Sequence, residues 1–535
     1  AAPPSLAALT AYEERLQALR IIDPACGSGA FLIAAFRQLL DERRRVAKEL
    51  SMLKGGAVEP PDEARLIAEI LRNNIYGVDL NPAAVEIAKL ALWLHSARAD
   101  APLSSLDHTL RSFNSLIEPD FWKGRLDDRE LRERVRAETS WRDAFPEVFD
   151  GDDPGFDVVI GNPPYVKLQD QRKMDSVMAD YIQADRGETT YRSAQTGNFD
   201  LYLPFIELGL RLLAPGGRMA YIAPSLWPRN QYGEGLRRLV RDGRHLERWL
   251  DFKAFQILED VTTYTALQFF TREPNDTLRI ATAPDGVMED VDWSEPALSV
   301  PYATLPEEGE WLMATGEARA LIRRLEKTCL RLDDPSVTQA IFQGLITSAD
   351  YIYHLRKVGR GKYECKPKKG APYVVEIEDE IMKPLISGGE AKRYEAPETD
   401  TYILFPYMRS ASGKMQLIAP SQMKSRFPQA WAYLQTWEEV LRKRENSKFD
   451  TPEWYQFGRS QNIDKQDIPK LIAPRIVYEL KISADKDASF CLDNVDVGGI
   501  IPAKGRNLFS LSATLNGPLA TYIFREISKP FRGDF

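Results

Sequence analysis

Four short apolar runs, each followed at once by a polar or glycine-rich turn, constrain the fold of this chain more than any other feature. The runs lie in "LRIIDPACG", "NNIYGVDL", "FDVVIGN" and "GRMAYIAPS", and segments with helical periodicity separate them. Uninterrupted apolar runs are typical of strands buried on both faces, and strands that alternate with helices form parallel sheets. The pattern from Leu16 to about Arg272 therefore predicts a doubly wound α/β sheet.

The sequence after this segment changes in character twice. Residues 273 to about 310 are rich in proline and acidic residues and indicate a boundary region with a few strands. The following "TGEARALIRRLEKTCL" has the periodicity of a helix. From about Val337 onward, short aromatic-rich strands, turns and basic clusters predict an α+β domain. Because 535 residues are too many for one ordinary core, we predict three segments. They are a first domain over 1–275, a linker with a connecting helix over 276–330, and a second domain over 331–535.

Composition excludes several classes of protein. An apolar content of 44% and a charged content of 28% are typical of globular proteins, not of disordered or fibrous ones. The chain has no run of 18 apolar residues and no signal-peptide pattern, which favours a cytoplasmic protein without a membrane partner. The four cysteines form no CxxC pair and the four histidines have no partner at metal-ligand spacing, so we predict no metal site. A net charge of −8 leaves a local nucleic-acid-binding face open.

Two segments favour a ligand that contains a ribose. In "RIIDPACGSGAFLIAAFRQLL", Gly27 and Gly29 lack the Cβ that would keep a ligand from the backbone, and the following helix offers free N–H groups. A phosphate-binding P-loop is disfavoured because its Gly-Lys-Ser/Thr is absent. The next strand ends in Asp79, which can accept both hydroxyls of a ribose. A purely capping carboxylate at Asp79 is the alternative.

The tetrapeptide "NPPY", residues 162–165, follows the third run, at the sheet edge where α/β proteins bind ligands. An amine attached to an aromatic ring or a carbonyl is a poor nucleophile, because its lone pair is delocalised. Two acceptors aimed at its hydrogens, the Asn162 side-chain carbonyl and the Pro163 backbone carbonyl, would stabilise the charge that develops during attack. Pro163 and Pro164 restrict the backbone, and Tyr165 offers a flat face on which a planar group can stack. The alternative is a loop that the prolines stiffen and that has no catalytic role.

The order of the motifs resembles that of a known family. "DPACGSGAFL", "GVDLNPAAVEIAKLALW", "GFDVVIGNPPYV" and "LYLPFIELGLRLLAPGGRMAYIAPS" are similar to the class-gamma adenine-N6 DNA methyltransferases of bacterial restriction-modification and phage-defence systems. "YILFPY", "FGRSQNI" and "SATLNGPLATYIFREISKPFRG" resemble the TaqI-like specificity domain of those enzymes. The resemblance implies a Rossmann-like methyltransferase sheet followed by a target-recognition domain. It also implies double-stranded DNA as a partner and allows other restriction or defence subunits.

The same resemblance implies the cofactor, S-adenosylmethionine, and the residues that surround it. In that family the glycine loop and the acid bind the cofactor, and "FNSLI" is similar to a third cofactor segment, in which Asn114 would meet the adenine. The predicted cofactor set is Asp23, Ala25, Gly27, Gly29, Asp79, Leu80, Asn114 and Asn162.

A second aromatic residue and an acid complete the predicted base pocket. Phe255 is the best match for the second aromatic, with an ordinary core phenylalanine as the alternative. Asp200, in "GNFDLYLPF", either borders the same pocket or caps a helix. The predicted catalytic set is Asn162, Pro163, Pro164, Tyr165 and Phe255.

Basic residues of the second domain are candidates for DNA contacts. The segment from Tyr351 to Gly370 holds seven Lys/Arg against one Glu, with tyrosines and glycines between them, as suits contacts to phosphates and bases. A solvated basic face is the alternative. The predicted DNA-binding set is Arg356, Lys357, Arg360, Lys362, Lys392, Arg393 and Arg459.

We therefore predict transfer of a methyl group to the N6 amine of a flipped adenine in a specific DNA sequence, for restriction-modification or phage defence. One alternative is a catalytically silent DNA-binding subunit of a defence complex. Another is an RNA or protein amine methyltransferase, because the same tetrapeptide occurs in such enzymes.

Overall fold

The computed structural model describes residues 5–54, 62–96, 105–125, 128–258, 263–411, 413–494 and 496–528. Backbone contacts divide the chain into two compact units, Ala1–Arg319 and Ala320–Phe535. Among the described residues, none of the helices combines the length and the apolar character that crossing a membrane requires.

The described part of the first unit contains one nine-stranded sheet. Its strands in chain order are β1 (Ile21–Asp23), β2 (Ile75–Asp79), β3 (Leu110–Ser112), β4 (Phe156–Gly161), β5 (Leu213–Pro224), β6 (Leu246–Asp251), β7 (Thr265–Thr271), β8 (Thr277–Thr282) and β9 (Ser299–Pro301). Across the sheet they lie in the order β3-β2-β1-β4-β5-β7-β6-β8-β9. Strands β1 to β5 are parallel, and β7 is antiparallel to both β5 and β6.

Helices connect these strands and cover the sheet. They are α1 (Leu6–Ala18), α2 (Ala30–Leu53), α3 (Glu63–Asn73), α4 (Pro82–Ser96), α5 (Arg129–Val135), α6 (Trp141–Ala144), α7 (Pro146–Phe149), α8 (Leu168–Met174), α9 (Ser176–Gln183), α10 (Tyr202–Leu212), α11 (Glu234–Gly243) and α12 (Gly316–Thr328). Neighbouring strand residues pack into different cores: Ile21 lies in one apolar cluster and Ile22 in another. Because successive side chains point to opposite faces, both faces of the sheet are buried. The predicted doubly wound α/β fold is confirmed, and each of the four apolar runs contains a strand.

The sheet continues beyond residue 275, where the sequence predicts a linker. Strand β8 pairs in parallel with β6, and β9 pairs with β8. Trp311 and Met313 are buried in the core of the first unit. The segment belongs to the sheet because its short apolar runs fill the last two strand positions, although its loops are acidic. The expected connecting helix is α12, which crosses the boundary between the two units.

The second unit is α+β and its described part contains three sheets. Its strands are β10 (Thr338–Gln343), β11 (His354–Gly359), β12 (Lys362–Cys365), β13 (Tyr373–Glu376), β14 (Met382–Ile386), β15 (Thr401–Leu404), β16 (Tyr407–Arg409), β17 (Met415–Leu417), β18 (Lys470–Pro474), β19 (Ser483–Asp485), β20 (Cys491–Leu492) and β21 (Val497–Pro502). Its helices are α13 (Asp350–Tyr353), α14 (Pro420–Arg426), α15 (Pro428–Thr436), α16 (Glu438–Arg442), α17 (Arg444–Ser447), α18 (Leu508–Leu515) and α19 (Pro518–Ile527). The sheets have the orders β13-β12-β11-β15-β14-β20, β10-β21-β18-β19 and β16-β17.

Candidate active site

The candidate site lies where the strand order of the first sheet reverses. From β1 the chain proceeds outward through β2 and β3, and then returns to place β4 on the other side of β1. Such a switch point opens a crevice at the carboxyl ends of the strands. Asp23 ends β1, Asp79 ends β2, and Asn162 follows β4 directly. The topology therefore brings the three predicted segments to one edge of the sheet.

The glycine loop between β1 and α2 needs its glycines for two different reasons. Gly29 has a φ of +86°, and a Cβ built on it would lie 3.0 Å from the Cβ of Ala88 on α4. Its lack of a side chain therefore lets the start of α2 approach α4. Gly27 has a φ of +52°, and a Cβ there would have nothing within 4 Å. The backbone beside Gly27 is thus open to a ligand.

Asp79 joins the two loops of the crevice. Its Oδ2 accepts a hydrogen bond from the Gly27 N–H at 2.9 Å, and its Oδ1 accepts one from the Asn81 N–H at 2.8 Å. Asn81 in turn accepts from the Ala83 N–H at 3.0 Å and caps α4, which begins at Pro82. A carboxylate oxygen has a further lone pair, so these bonds leave Asp79 able to accept from ribose hydroxyls. The carboxylate therefore has a structural role whether or not it binds a ligand.

Asp23 is a buried acid beneath the crevice, with 1% of its surface exposed. Burial raises the pKa of its carboxyl to about 7, against the opposing effect of a hydrogen bond from the Ala25 N–H, and the charge of Asp79 raises it further. A Cβ on Gly161 would lie 2.6 Å from Asp23 Oδ1. Glycine at the end of β4 thus allows the Asp23 carboxyl to lie against the strand that carries Asn162.

Asn162 presents an acceptor that has no donor. Its Oδ1 atom is buried and makes no hydrogen bond within the described part of the chain. Leaving a buried acceptor unpaired costs roughly 1–3 kcal/mol, so such atoms call for an explanation. An amine of a bound substrate would supply the missing donor, which is the chemistry predicted for this tetrapeptide.

Tyr165 is held by contacts at both ends of its side chain. Its hydroxyl donates to the carbonyl oxygen of Ile222 on β5 at 3.0 Å. Its ring meets that of Tyr202 edge to face, with centroids 6.3 Å apart. Burial raises the pKa of the Tyr165 phenol, so the side chain is neutral. A fixed, neutral ring fits the predicted stacking role, which no contact in the structure tests.

The other predicted site residues differ in their exposure and in their contacts. Leu80 and Phe255 are each 40% exposed, Leu80 after β2 and Phe255 after β6. The Asn114 side chain holds the loop after β3: its Nδ2 donates to the carbonyl of Val135 at 3.0 Å, and its Oδ1 accepts from the Leu116 N–H. Their cofactor and base contacts stay predictions.

Sequence reasoning missed one residue that supports the glycine loop. The hydroxyl of Ser115 is buried and donates to the carbonyl of Pro24 at 2.6 Å, and the Ser115 carbonyl accepts from the Trp141 indole at 3.1 Å. The serine therefore fixes the loop between β1 and α2 from below. Its position beside Asn114 in "FNSLI" was the available signal.

Most of the predicted DNA-binding cations of the second unit have an acidic partner. Five of the seven lie within 4 Å of a carboxylate: Arg356 of Glu364, Lys357 of Asp379, Lys392 of Glu395, Arg393 of Glu479 and Arg459 of Glu445. Arg360 and Lys362 are exposed on either side of the turn between β11 and β12, and neither has a carboxylate partner in the described residues. These two are the cations best placed to meet a phosphate.

No group of three His, Cys, Asp or Glu in the described ranges could hold a metal ion.

Comparison with known proteins matches a segment that carries Asp79 and the tetrapeptide. Residues 73–258 match the family model of the Eco57I restriction-modification methylase. The chain is 25% identical to the Type II restriction enzyme and methyltransferase RM.Eco57I of Escherichia coli over 502 residues, 88% of this chain and 47% of the relative. It is 23% identical to the Type II methyltransferase M.BstVI of Geobacillus stearothermophilus over 98% of this chain and 84% of the relative. The chain thus spans about half the length of RM.Eco57I.

The fold is also that of a solved structure. The Type IIL restriction-modification enzyme MmeI, determined in complex with DNA, superposes with a TM-score of 0.61 at 14% sequence identity, over 99% of this chain and 62% of that one. The likeness concerns the fold alone. The segment that contains Asp79 and the tetrapeptide is thus similar in sequence to the restriction-modification methylases of the Eco57I family.

Proposed function

We propose that this protein transfers a methyl group from S-adenosylmethionine to the N6 amine of an adenine in double-stranded DNA. The observation that carries the proposal is the buried, unpaired Oδ1 of Asn162 at the carboxyl end of β4. That oxygen lies at the switch point of the sheet, on the same edge as the glycine loop and Asp79. Relatives named as methyltransferases support the reaction class.

The residues of the crevice have separate parts in this reaction. Gly27, Gly29 and Asp79 would hold S-adenosylmethionine, which supplies an electrophilic methyl group. Asn162 Oδ1 and the Pro163 carbonyl accept the two N–H bonds of the target amine and stabilise its developing positive charge. Tyr165 stacks on the flipped base, and Phe255 faces it from the other side. No side chain needs to remove a proton before transfer.

The proposal also assigns a separate task to each of the two units. The first unit carries the chemistry, and the second unit recognises the DNA sequence, with Arg360 and Lys362 against the phosphates. The biological setting is restriction-modification or phage defence in the cytoplasm, where the DNA lies, with other subunits of such a system as partners.

A substrate competition tests the proposal against its alternatives. The purified protein is incubated with labelled S-adenosylmethionine and equal amounts of duplex DNA, RNA and protein from one host, and the nucleosides are analysed by mass spectrometry. We expect label in N6-methyladenine of the DNA, at positions that share one sequence. Label in RNA or protein alone would replace the substrate, and binding of DNA without transfer would favour a silent DNA-binding subunit.

A further inference from the structure

A short antiparallel pairing ties the tetrapeptide loop to the segment before α10. The Leu168 N–H donates to the Phe199 carbonyl at 2.8 Å, and the Leu201 N–H donates to the Val166 carbonyl at 2.9 Å. Between these bonds, Lys167 lies opposite Asp200. The pairing fixes the position of Asp200 relative to the loop that carries Asn162.

Asp200 also lies close to the tyrosines beside the tetrapeptide. Its charge acts on the phenols of Tyr202 and Tyr232, and it contributes to the raised pKa of each. The ring of Tyr202 meets that of Tyr165 edge to face. Tyr165 is the ring on which the target base would stack.

The Asp200 carboxylate has no structural role among the described residues. Helix α10 begins at Tyr202 with no side chain capping it, so the capping role that the sequence left open is not what the structure shows. Asp200 is half-buried, and its carboxylate makes no hydrogen bond or ion pair to any described residue, although its backbone carbonyl accepts from the Leu203 N–H at 3.0 Å. Burial raises the pKa of Asp200, Lys167 opposes this shift and Asp170 adds to it. The phenols of Tyr202 and Tyr232 are the other titratable groups that face it.

We propose that Asp200 is a further catalytic residue: its carboxylate stabilises the positive charge on the methylated amine and accepts the proton that this amine loses. One N–H bond of the amine breaks, its electron pair stays on the nitrogen, and the proton bonds to a carboxylate oxygen of Asp200. The neutral acid then releases the proton to solvent, which its partial exposure allows. This inference rests on the proposed function. Asn162 and Pro163 offer only carbonyl oxygens, which accept hydrogen bonds, whereas the Asp200 carboxylate can take up the proton itself.

The test compares single-turnover methyl transfer to duplex DNA by the full chain and by Asp200→Asn, Asp200→Glu and Asp170→Asn. Asp170 is the matched control, because it is a nearby exposed acid on α8 that pairs with Lys173 at 2.9 Å. We expect Asp200→Asn to lower the rate about 10²-fold, as a positioned charge-stabilising or proton-accepting group does, without weakening cofactor or DNA binding. Asp200→Glu should restore part of the rate, and Asp170→Asn should keep all of it.

The pH profile separates this role from a structural one. The wild-type rate should fall as the pH is lowered through the raised pKa of Asp200, because the protonated acid can no longer accept a proton. Asp200→Asn should lose the part of that fall that the carboxylate causes, and Asp200→Glu should retain it. A wild-type rate in Asp200→Asn, or an equal pH profile in both variants and the wild type, overturns the inference. If Asp200→Asn unfolds, the comparison of Asp200→Glu with the wild type decides. Wild-type protein that puts no methyl group into DNA would instead mean that the proposed function has failed.

Discussion

At the scale of single residues, the crevice holds a carboxyl group that links folding to pH. The pKa of Asp23 is raised to about 7 in the folded chain, whereas an unfolded aspartate has a pKa of about 3.9. The folded state therefore binds more protons between these values, and stability is lost as the pH rises from about 4 through about 7. Since one pKa unit corresponds to about 1.4 kcal/mol, the loss is on the order of a few kcal/mol.

Asp23→Asn should remove this part of the pH dependence, because the amide is neutral at every pH and its oxygen can still accept from the Ala25 N–H. Urea unfolding at pH 5 and pH 8 measures the difference. We expect the variant to gain stability relative to the wild type at the higher pH. Equal pH dependence of both proteins would show that Asp23 does not titrate in this range.

Asp79 should matter for cofactor affinity beyond its role in the loops. Asp79→Ala removes the predicted ribose acceptor, and losing hydrogen bonds to a charged group costs about 1.5–3 kcal/mol, a ten-fold or greater weakening. Asp62→Ala is the control, since Asp62 caps α3 through the Arg65 N–H and lies outside the predicted site. Calorimetric titration with S-adenosylmethionine should show weakening in the first variant only. Equal affinities would remove Asp79 from the cofactor site.

Residue-level prediction is most direct where the chemistry of a side chain depends on its own segment. The acceptor role predicted for Asn162 rests on four consecutive residues at the end of a strand, and the unpaired Oδ1 fits it while the role itself stays a prediction. Whether Asp200 caps α10 depends on the position of its carboxylate relative to the first N–H groups of that helix. The pairing with Lys167 contributes to this position. Such a pairing between distant segments cannot be read from the local sequence.

At the scale of elements, strands with long apolar runs were predictable and short ones were not. The strands β1, β2, β4 and β5 have neighbours on both sides, and each contains a short apolar run that marks it in the sequence. Strands β8 and β9 lie at the far edge of the sheet, between acidic loops, and their assignment depends on the pairing of β8 with β6 and of β9 with β8. The sequence therefore indicated a few strands in that region without showing that they continue the same sheet.

The hairpin of β11 and β12 should provide much of the salt dependence of DNA binding. Replacing Arg360, Lys362 and the exposed Lys366 by Gln should lower the slope of log K against log salt by about 2.7 units, if each cation meets one phosphate. The measurement is a titration of duplex DNA at several salt concentrations.

A matched triple variant tests whether cations without an acidic partner contribute more to the salt dependence of DNA binding than paired cations do. Arg356, Lys392 and Arg459 each have a carboxylate partner, so their replacement by Gln removes charges that are already neutralised in part. We expect a clearly smaller change of the slope. Equal changes in both triples would contradict the assignment of the hairpin, and no change in either would make the basic segment a solvated face.

At the scale of the whole molecule, we propose that the first unit transfers the methyl group and the second recognises the target. The order of motifs along the chain predicts a catalytic part followed by a recognition part, and these roles stay predictions for the two compact units. The position of the boundary was harder to predict from the sequence, because the chain passes from one unit to the other within α12. A continuous helix carries no composition signal at the point where one compact unit ends.

The central claim is that the unpaired oxygen of Asn162 exists to bind the target amine. Asn162→Ala removes a buried acceptor that has no donor, so we expect the fold to be as stable as in the wild type and cofactor affinity to be nearly unchanged. Single-turnover transfer of a labelled methyl group to duplex DNA should nevertheless be slower by about 10²–10³, the usual effect of losing one preplaced dipole. Transfer at the wild-type rate by a folded, cofactor-binding Asn162→Ala protein would contradict the account.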